Sequence, residues 1–160
     1  MNDPITLRIA VATDAAAIRN LTRAAYAKWV PLLGREPKPM TADFDAAVRN
    51  HRIDLLHVGD HLAALIETIP RSDHLLIENV AVSPAFQHRG LGRHLLAHAE
   101  DLAASRGYAS IRLYTNKLFA ANVQLYASLG YRVDREEHGS LGTAVHMSKP
   151  VQAAGSLNMV

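Results

Sequence analysis

The segment from Leu75 to Leu102, LLIENVAVSPAFQHRGLGRHLLAHAEDL, constrains the fold more than any other part of the chain. It opens with strand alternation: Leu76, Glu78, Val80 and Val82 point one way, and Leu75, Ile77, Asn79 and Ala81 the other. Ser83-Pro84 ends that strand, because proline lacks a ladder donor and restricts the residue before it. From Leu91 the apolar spacing turns helical, with Leu91, Leu95, Ala99 and Leu102 in one stripe flanked by Leu96 and Ala103. Between the two lies Gln87-His88-Arg89-Gly90-Leu91-Gly92. A strand thus feeds a glycine-bearing turn that opens into a helix.

That order suits an anion. The first turn of a helix carries free N–H groups and a partial positive charge. Gly90 and Gly92 let the backbone approach a bulky group, and His88, Arg89 and Arg93 add positive charge nearby. The plainer reading is a strand-to-helix connection whose glycines only ease the turn.

Gln-x-x-Gly-x-Gly after a strand ending Val-Ala-Val resembles the acetyl-CoA signature of the GNAT superfamily of N-acetyltransferases. The resemblance implies that Gln87, His88, Arg89, Gly90, Leu91, Gly92 and Arg93 form the cofactor turn, with the diphosphate cradled from His88 to Arg93. It implies that Val80, Ala81 and Val82 pair with the pantetheine arm, and that an N–H near Val82 holds the thioester oxygen. A second motif extends the likeness: Leu113-Tyr114-Thr115-Asn116, then Asn122 and Tyr126 before Leu129-Gly130-Tyr131. Asn122 and Tyr126 lie one helical turn apart. By resemblance Asn122 contacts the cofactor and the Tyr126 hydroxyl lies near its sulfur. A phenol with a pKa of about 10 stays protonated at neutral pH and can donate a hydrogen bond or a proton to a departing thiolate. Tyr126 read alone, without the first motif, is better taken as a half-buried core aromatic with its hydroxyl reaching solvent. Glu78 is the candidate base, directly or through water, and its alternative is a carboxylate paired with an arginine.

The remaining chain fits the same plan. Ile5 to Ala10 alternates as a strand, and Thr13 or Asp14 is placed to cap a helix whose inward face is Ile18, Leu21, Ala25 and Trp29. Pro31, Gly34, Pro37 and Pro39 break the chain before a second helix over 42–50. Strands over 53–58 and 61–69 meet at Gly59-Asp60, and Gly107 caps the long helix. A strand from Ile111 to Thr115, a helix to about Leu129, and a hairpin closed over Gly139–Gly142 complete it. The order β-α-α-β-β-β-α-β-α-β-β resembles the GNAT fold, which implies an α/β mixed sheet whose two central strands splay apart to admit CoA. Residues 1–150 read as a single acyltransferase domain and 151–160 as a flexible tail.

Composition narrows the classes. At 160 residues with 49% hydrophobic and 20% charged, the chain has room for one real core. A net charge of +2 without a basic stripe does not suggest nucleic acid, and no apolar run reaches membrane-spanning length. An acidic start, Met1-Asn2-Asp3-Pro4, differs from a secretion signal, so the expected location is the cytoplasm. With Cys 0, disulfides and a cysteine acyl-enzyme are excluded, which favours direct transfer between two bound substrates. His94 and His98 share a helix face but lack a third ligand, so no metal is expected.

The reading is therefore an acetyl-CoA-dependent N-acetyltransferase acting on a primary amine of a small molecule or peptide. The GNAT resemblance implies an acceptor pocket built from Tyr26, Trp29, Arg35 and Glu36 with Glu136, Glu137 and His138 of the last hairpin, where acids could attract a cationic amine; the residues alone read equally as core for Trp29 and solvated surface for the glutamates. A homodimer is left open. A dinucleotide-binding oxidoreductase would need a third glycine where Leu95 stands and an acid where the next strand ends Tyr114-Thr115-Asn116. A non-catalytic acyl-CoA-binding module is disfavoured by the presence of Tyr126 and Glu78.

Overall fold

The computed structural model describes residues 3–152, so most of the tail expected over 151–160 lies outside the described residues. Seven strands hydrogen-bond in the order β1-β2-β3-β4-β5-β7-β6. They are β1 Ile5–Ile9, β2 Arg52–Val58, β3 His61–Pro70, β4 His74–Val82, β5 Ser110–Asn116, β6 Arg132–Gly139 and β7 Gly142–Pro150. The helices are α1 Ala15–Tyr26, a single turn α2 Val30–Leu33, α3 Phe44–Asn50, α4 Leu91–Ser105 and α5 Ala120–Ser128. Among the described residues no helix is long and apolar enough to cross a membrane.

The chain divides into two compact units, one holding the residues up to Ile69 with Asn79–His98, the other Pro70–Glu78 with the residues from Ala99 onward. In the first, β2 pairs antiparallel with both β1 and β3. Its core joins Ile18, Leu21 and Ala25 of α1, Phe44 and Ala47 of α3, Ile53 and Leu55 of β2, Leu65 of β3 and Ala81 of β4. Each large side chain so buried contributes about 1.5–3 kcal/mol. Two sequence expectations are corrected here. Trp29 does not continue the inward face of α1: the helix ends at Tyr26, and Trp29 lies half-buried in a 3-10 turn just before Pro31. Neither Thr13 nor Asp14 caps α1 with its side chain; Asp14 instead takes both guanidinium nitrogens of Arg8, at 2.9 and 2.8 Å, and the Val11 N–H at 2.8 Å. A side-chain cap forms at Asp43 on α3, accepting from the Ala46 N–H at 3.1 Å.

In the second unit β4 pairs in parallel with β5 from His74/Ser110 to Ile77/Leu113, four pairs in strands of nine and seven residues. β5 and β6 each pair antiparallel with β7. Register puts Leu75, Ile77, Ile111, Leu113 and Met147 on one face, and all are buried. The opposite face carries Leu76, Arg112, Ser148 and Arg132 in one row, and Tyr114, His146 and Arg135 in the next.

Candidate active site

The strand-turn-helix segment forms as its pattern requires. Along β4, Leu75, Ile77, Asn79 and Ala81 are buried, while Leu76, Glu78, Val80 and Val82 are half-exposed. Buried Asn79 is satisfied from α1: its amide donates to Thr22 Oγ1 at 3.3 Å, and the Tyr26 hydroxyl donates to its Oδ1 at 3.0 Å. The same hydroxyl lies 3.3 Å from the Val80 carbonyl, so Tyr26 braces the strand.

After a 3-10 turn at Pro84–Phe86, the Gln87 side chain donates back to the Val82 carbonyl at 3.2 Å and ties the turn to the strand. His88 then adopts φ 65° and Gly90 φ 79°. Two left-handed residues in one tight turn curl successive backbone N–H groups toward a common side. A histidine in that region costs of order 1–2 kcal/mol, which the surrounding structure must impose. Leu91 is buried and anchors the start of α4, whose first internal bond runs from the His94 N–H to the Gly90 carbonyl at 3.1 Å. The N–H groups of Leu91, Gly92 and Arg93 precede it and have no carbonyl to reach within the helix. A Cβ built on Gly90 or on Gly92 meets nothing within 4 Å. The fold explains glycine at position 90 through its φ; it gives no reason for glycine at 92, where the open space suits a ligand pressed against the backbone.

The second unit holds the proton-transfer candidates. Glu78 accepts a hydrogen bond at 3.1 Å from the hydroxyl of Tyr114, a residue whose role the sequence reading missed. The Tyr114 ring lies 5.6 Å from the His146 imidazole, whose Nε2 is 2.9 Å from Glu137. Tyr126 is in the last turn of α5, one turn beyond half-buried Asn122, as the spacing predicts. Burial pushes the Tyr126 phenol up to about 12. Its ring meets that of Tyr131 edge-on at 6.0 Å. Tyr131 is buried with no partner for its hydroxyl among the described residues, and burial drives its ionisation upward too.

A buried phenol whose ionisation is pushed upward stays protonated at neutral pH and keeps its hydrogen to donate.

Glu36 forms a two-pronged pair with Arg23 at 2.8 and 3.1 Å, and that bond holds its carboxyl below the usual range. Its charge is thus already countered by an arginine. Trp29 carries Lys28 Nζ 5.2 Å above its ring. His94 is exposed, and His98 is half-buried with Nε2 3.5 Å from Asp54. No group of three or more metal-ligating side chains occurs among the described residues.

The sheet order, the glycine turn and the asparagine-tyrosine helix together define one class. The chain belongs to the acetyltransferase (GNAT) family, whose pattern matches residues 16–131. It is 41% identical over 76 residues to a [ribosomal protein bS18]-alanine N-acetyltransferase of Salmonella typhimurium, covering 48% of this chain and 51% of that protein. It is also 32% identical over 60 residues to a streptothricin acetyltransferase of Streptomyces lavendulae, covering 38% of this chain and 32% of that one. The matched region thus spans about half the length of the first of these relatives. Among solved structures, the ribosomal-protein-S18-alanine N-acetyltransferase from Escherichia coli aligns over 96% of this chain and 97% of its own, with TM-score 0.77 and 27% identity. A GCN5-related N-acetyltransferase from Rhodopseudomonas palustris, at 18% identity and TM-score 0.78, shares the fold.

Proposed function

We propose that this chain is an acetyl-CoA-dependent N-acetyltransferase, with residues 1–150 acting as one domain and a peptide or small-molecule amine as acceptor. Family membership supports the reaction class, and likeness to enzymes named for a ribosomal-protein alanine supports a polypeptide amine. The observation that carries the cofactor is the turn at His88–Arg93: left-handed at two positions, opening onto a helix, with free space where side chains at Gly90 and Gly92 would stand.

Acetyl-CoA, when bound, supplies a thioester whose acetyl carbon passes to the amine nitrogen as its C–S bond breaks. In this reading the amides from His88 to Arg93 hold the diphosphate, with Arg89 and Arg93 adding charge. The Val80–Val82 backbone pairs with the pantetheine amides, the Val82 N–H receives the thioester oxygen, and Asn122 steadies the cofactor. Gln87 keeps the turn attached to the strand. Glu78 takes the proton from the acceptor ammonium, directly or through water, and Tyr114 orients that carboxylate. Tyr126 donates its hydrogen bond to the departing sulfur.

The test is a thermal melt with acetyl-CoA, followed by release of CoA thiol over a panel of amines, polyamines and N-terminal peptides. A ligand of the native state must raise the Tm. No rise with acetyl-CoA at millimolar concentration would end the cofactor reading, and a rise with no acceptor turned over would end the enzymatic one.

A further inference from the structure

A cavity of about 580 Å³ lies on the open face of the second unit, lined among others by Arg112, Arg132, Arg135, His74, His146 and Asp134. That volume suits a small ligand or a few residues of peptide. Its wall includes Tyr114, whose hydroxyl is bonded to Glu78, so it adjoins the proposed base.

The charge of this face is set by one backbone irregularity. Across β6 and β7, Val133 pairs with Met147 but the next pair is Arg135 with His146, leaving Asp134 as the extra residue of a bulge. In a regular strand the alternation would put Asp134 and Glu136 beside Arg132. The bulge instead brings Arg135 onto the side where Arg132 and, two strands away, Arg112 already stand. β6 is an edge strand, and its charges alone would protect that edge from pairing. Protection does not require two arginines on the face of a third.

Among the described residues these guanidiniums have only long ion pairs. Arg112 reaches Asp73 at 3.6 Å, Arg132 reaches Asp134 at 3.9 Å and Arg135 reaches Glu137 at 3.8 Å. All three exceed hydrogen-bond length, whereas a carboxylate ligand can take a paired guanidinium bond. The two carboxylates with closer partners, Asp73 and Glu137, are held by His74 at 2.7 Å and His146 at 2.9 Å.

We infer that this cavity binds an acidic side chain of the acceptor polypeptide, so that the enzyme selects amines followed closely by a carboxylate. The inference rests on the acetyltransferase reading with Glu78 at the reacting amine. Arg112 is two residues from Tyr114 along β5, about 7 Å, and Arg135 is two strands across, about 10 Å. An extended peptide rises about 3.3 Å per residue, which places the acid at the second to fourth residue of the acceptor.

The experiment uses fluorescently tagged hexapeptides with a free N-terminal alanine and Glu or Gln at position 2, 3 or 4. Anisotropy measures their binding to the full chain saturated with CoA, without needing turnover. The wild type should bind at least one Glu peptide about tenfold more tightly than its Gln twin, with the gap narrowing as salt rises. In Arg132→Gln/Arg135→Gln the Glu-to-Gln ratio should fall to near one, and in Asp134→Asn it should rise. Melting curves identify any variant that fails to fold, and the wild-type ratio stands regardless. Equal binding of Glu and Gln peptides at all three positions, or a ratio unmoved in folded variants, overturns the inference. Selective binding without acetylation would retain the acidic-peptide site and count against the catalytic reading instead.

Discussion

Replacing Gly92 with alanine separates what the fold needs at that position from what a ligand needs. The residue lies in the first turn of α4, and a Cβ there meets nothing within 4 Å. Alanine is a better helix former than glycine by up to about 1 kcal/mol in a helix interior, and about half that is reasonable so near the end. For a chain of this size each 1 kcal/mol moves Tm by about 2–4 °C, so the free variant should melt about 1–2 °C higher. Its bound state should suffer. A methyl group between the diphosphate and the Gly92 N–H would stretch or break a charge-assisted hydrogen bond worth about 1.5–3 kcal/mol, weakening acetyl-CoA by about 10- to 100-fold. At a ligand concentration of about 100 times the wild-type Kd, binding stabilises the wild type by about 2.7 kcal/mol. With a 30-fold weaker Kd the same concentration gives about 0.9 kcal/mol, so the ligand-induced rise should shrink to about a third. Differential scanning fluorimetry with and without acetyl-CoA reads both effects. A full-sized ligand shift in Gly92→Ala would refute the cradle, and a free-protein Tm several degrees lower would show that the fold itself requires this glycine.

Four further outcomes follow from the structure. Tyr126→Phe should lower kcat by about 10- to 100-fold while leaving the KM for acetyl-CoA within about twofold, because a hydrogen bond to a charged acceptor is worth about 1.5–3 kcal/mol. The raised pKa keeps Tyr126 neutral until about 12, so loss of the donor proton should not appear as an alkaline fall in kcat below pH 10. Tyr114→Phe should reduce kcat several-fold with the acetyl-CoA melt shift unchanged; a smaller shift would mean that it acts on cofactor binding instead. The Arg8 guanidinium holds Asp14 down at about 2, so this pair stabilises the fold above pH 4 and the gain disappears as pH falls through 2. Arg8 is half exposed, and screening limits the gain to about 1 kcal/mol. Urea midpoints of Asp14→Asn should therefore fall below wild type at pH 7 and converge with it near pH 2; a gap that persists in acid would point to packing rather than charge.

Period and punctuation made much of this molecule readable. The alternation of 75–82 gave the observed burial residue by residue, and the stripe Leu91, Leu95, Ala99 emerged as the buried side of α4. What stayed hidden depends on partners distant in sequence. Tyr114 meets Glu78 across 36 residues only because Ile77 and Leu113 fall opposite each other in a parallel ladder. Glu36, a candidate for the acceptor pocket, is paired with Arg23 of α1, thirteen residues away, a partner that no local pattern announces. His88 gave no warning of its left-handed backbone, since glycine is the residue whose letter signals one. The β6 bulge was equally silent, because all eight residues of that strand are exposed and no apolar alternation records a slip.

That bulge also leaves slack at the rim of the sheet. Loss of Asp134 would let Val133 and Arg135 follow one another in regular pairing, with Met147 and His146 keeping their present neighbours. Chain length can therefore change by one residue at this point while the buried layer behind it, Val145 and Met147, goes undisturbed. A homologous sequence one residue shorter at this point would keep that layer in place.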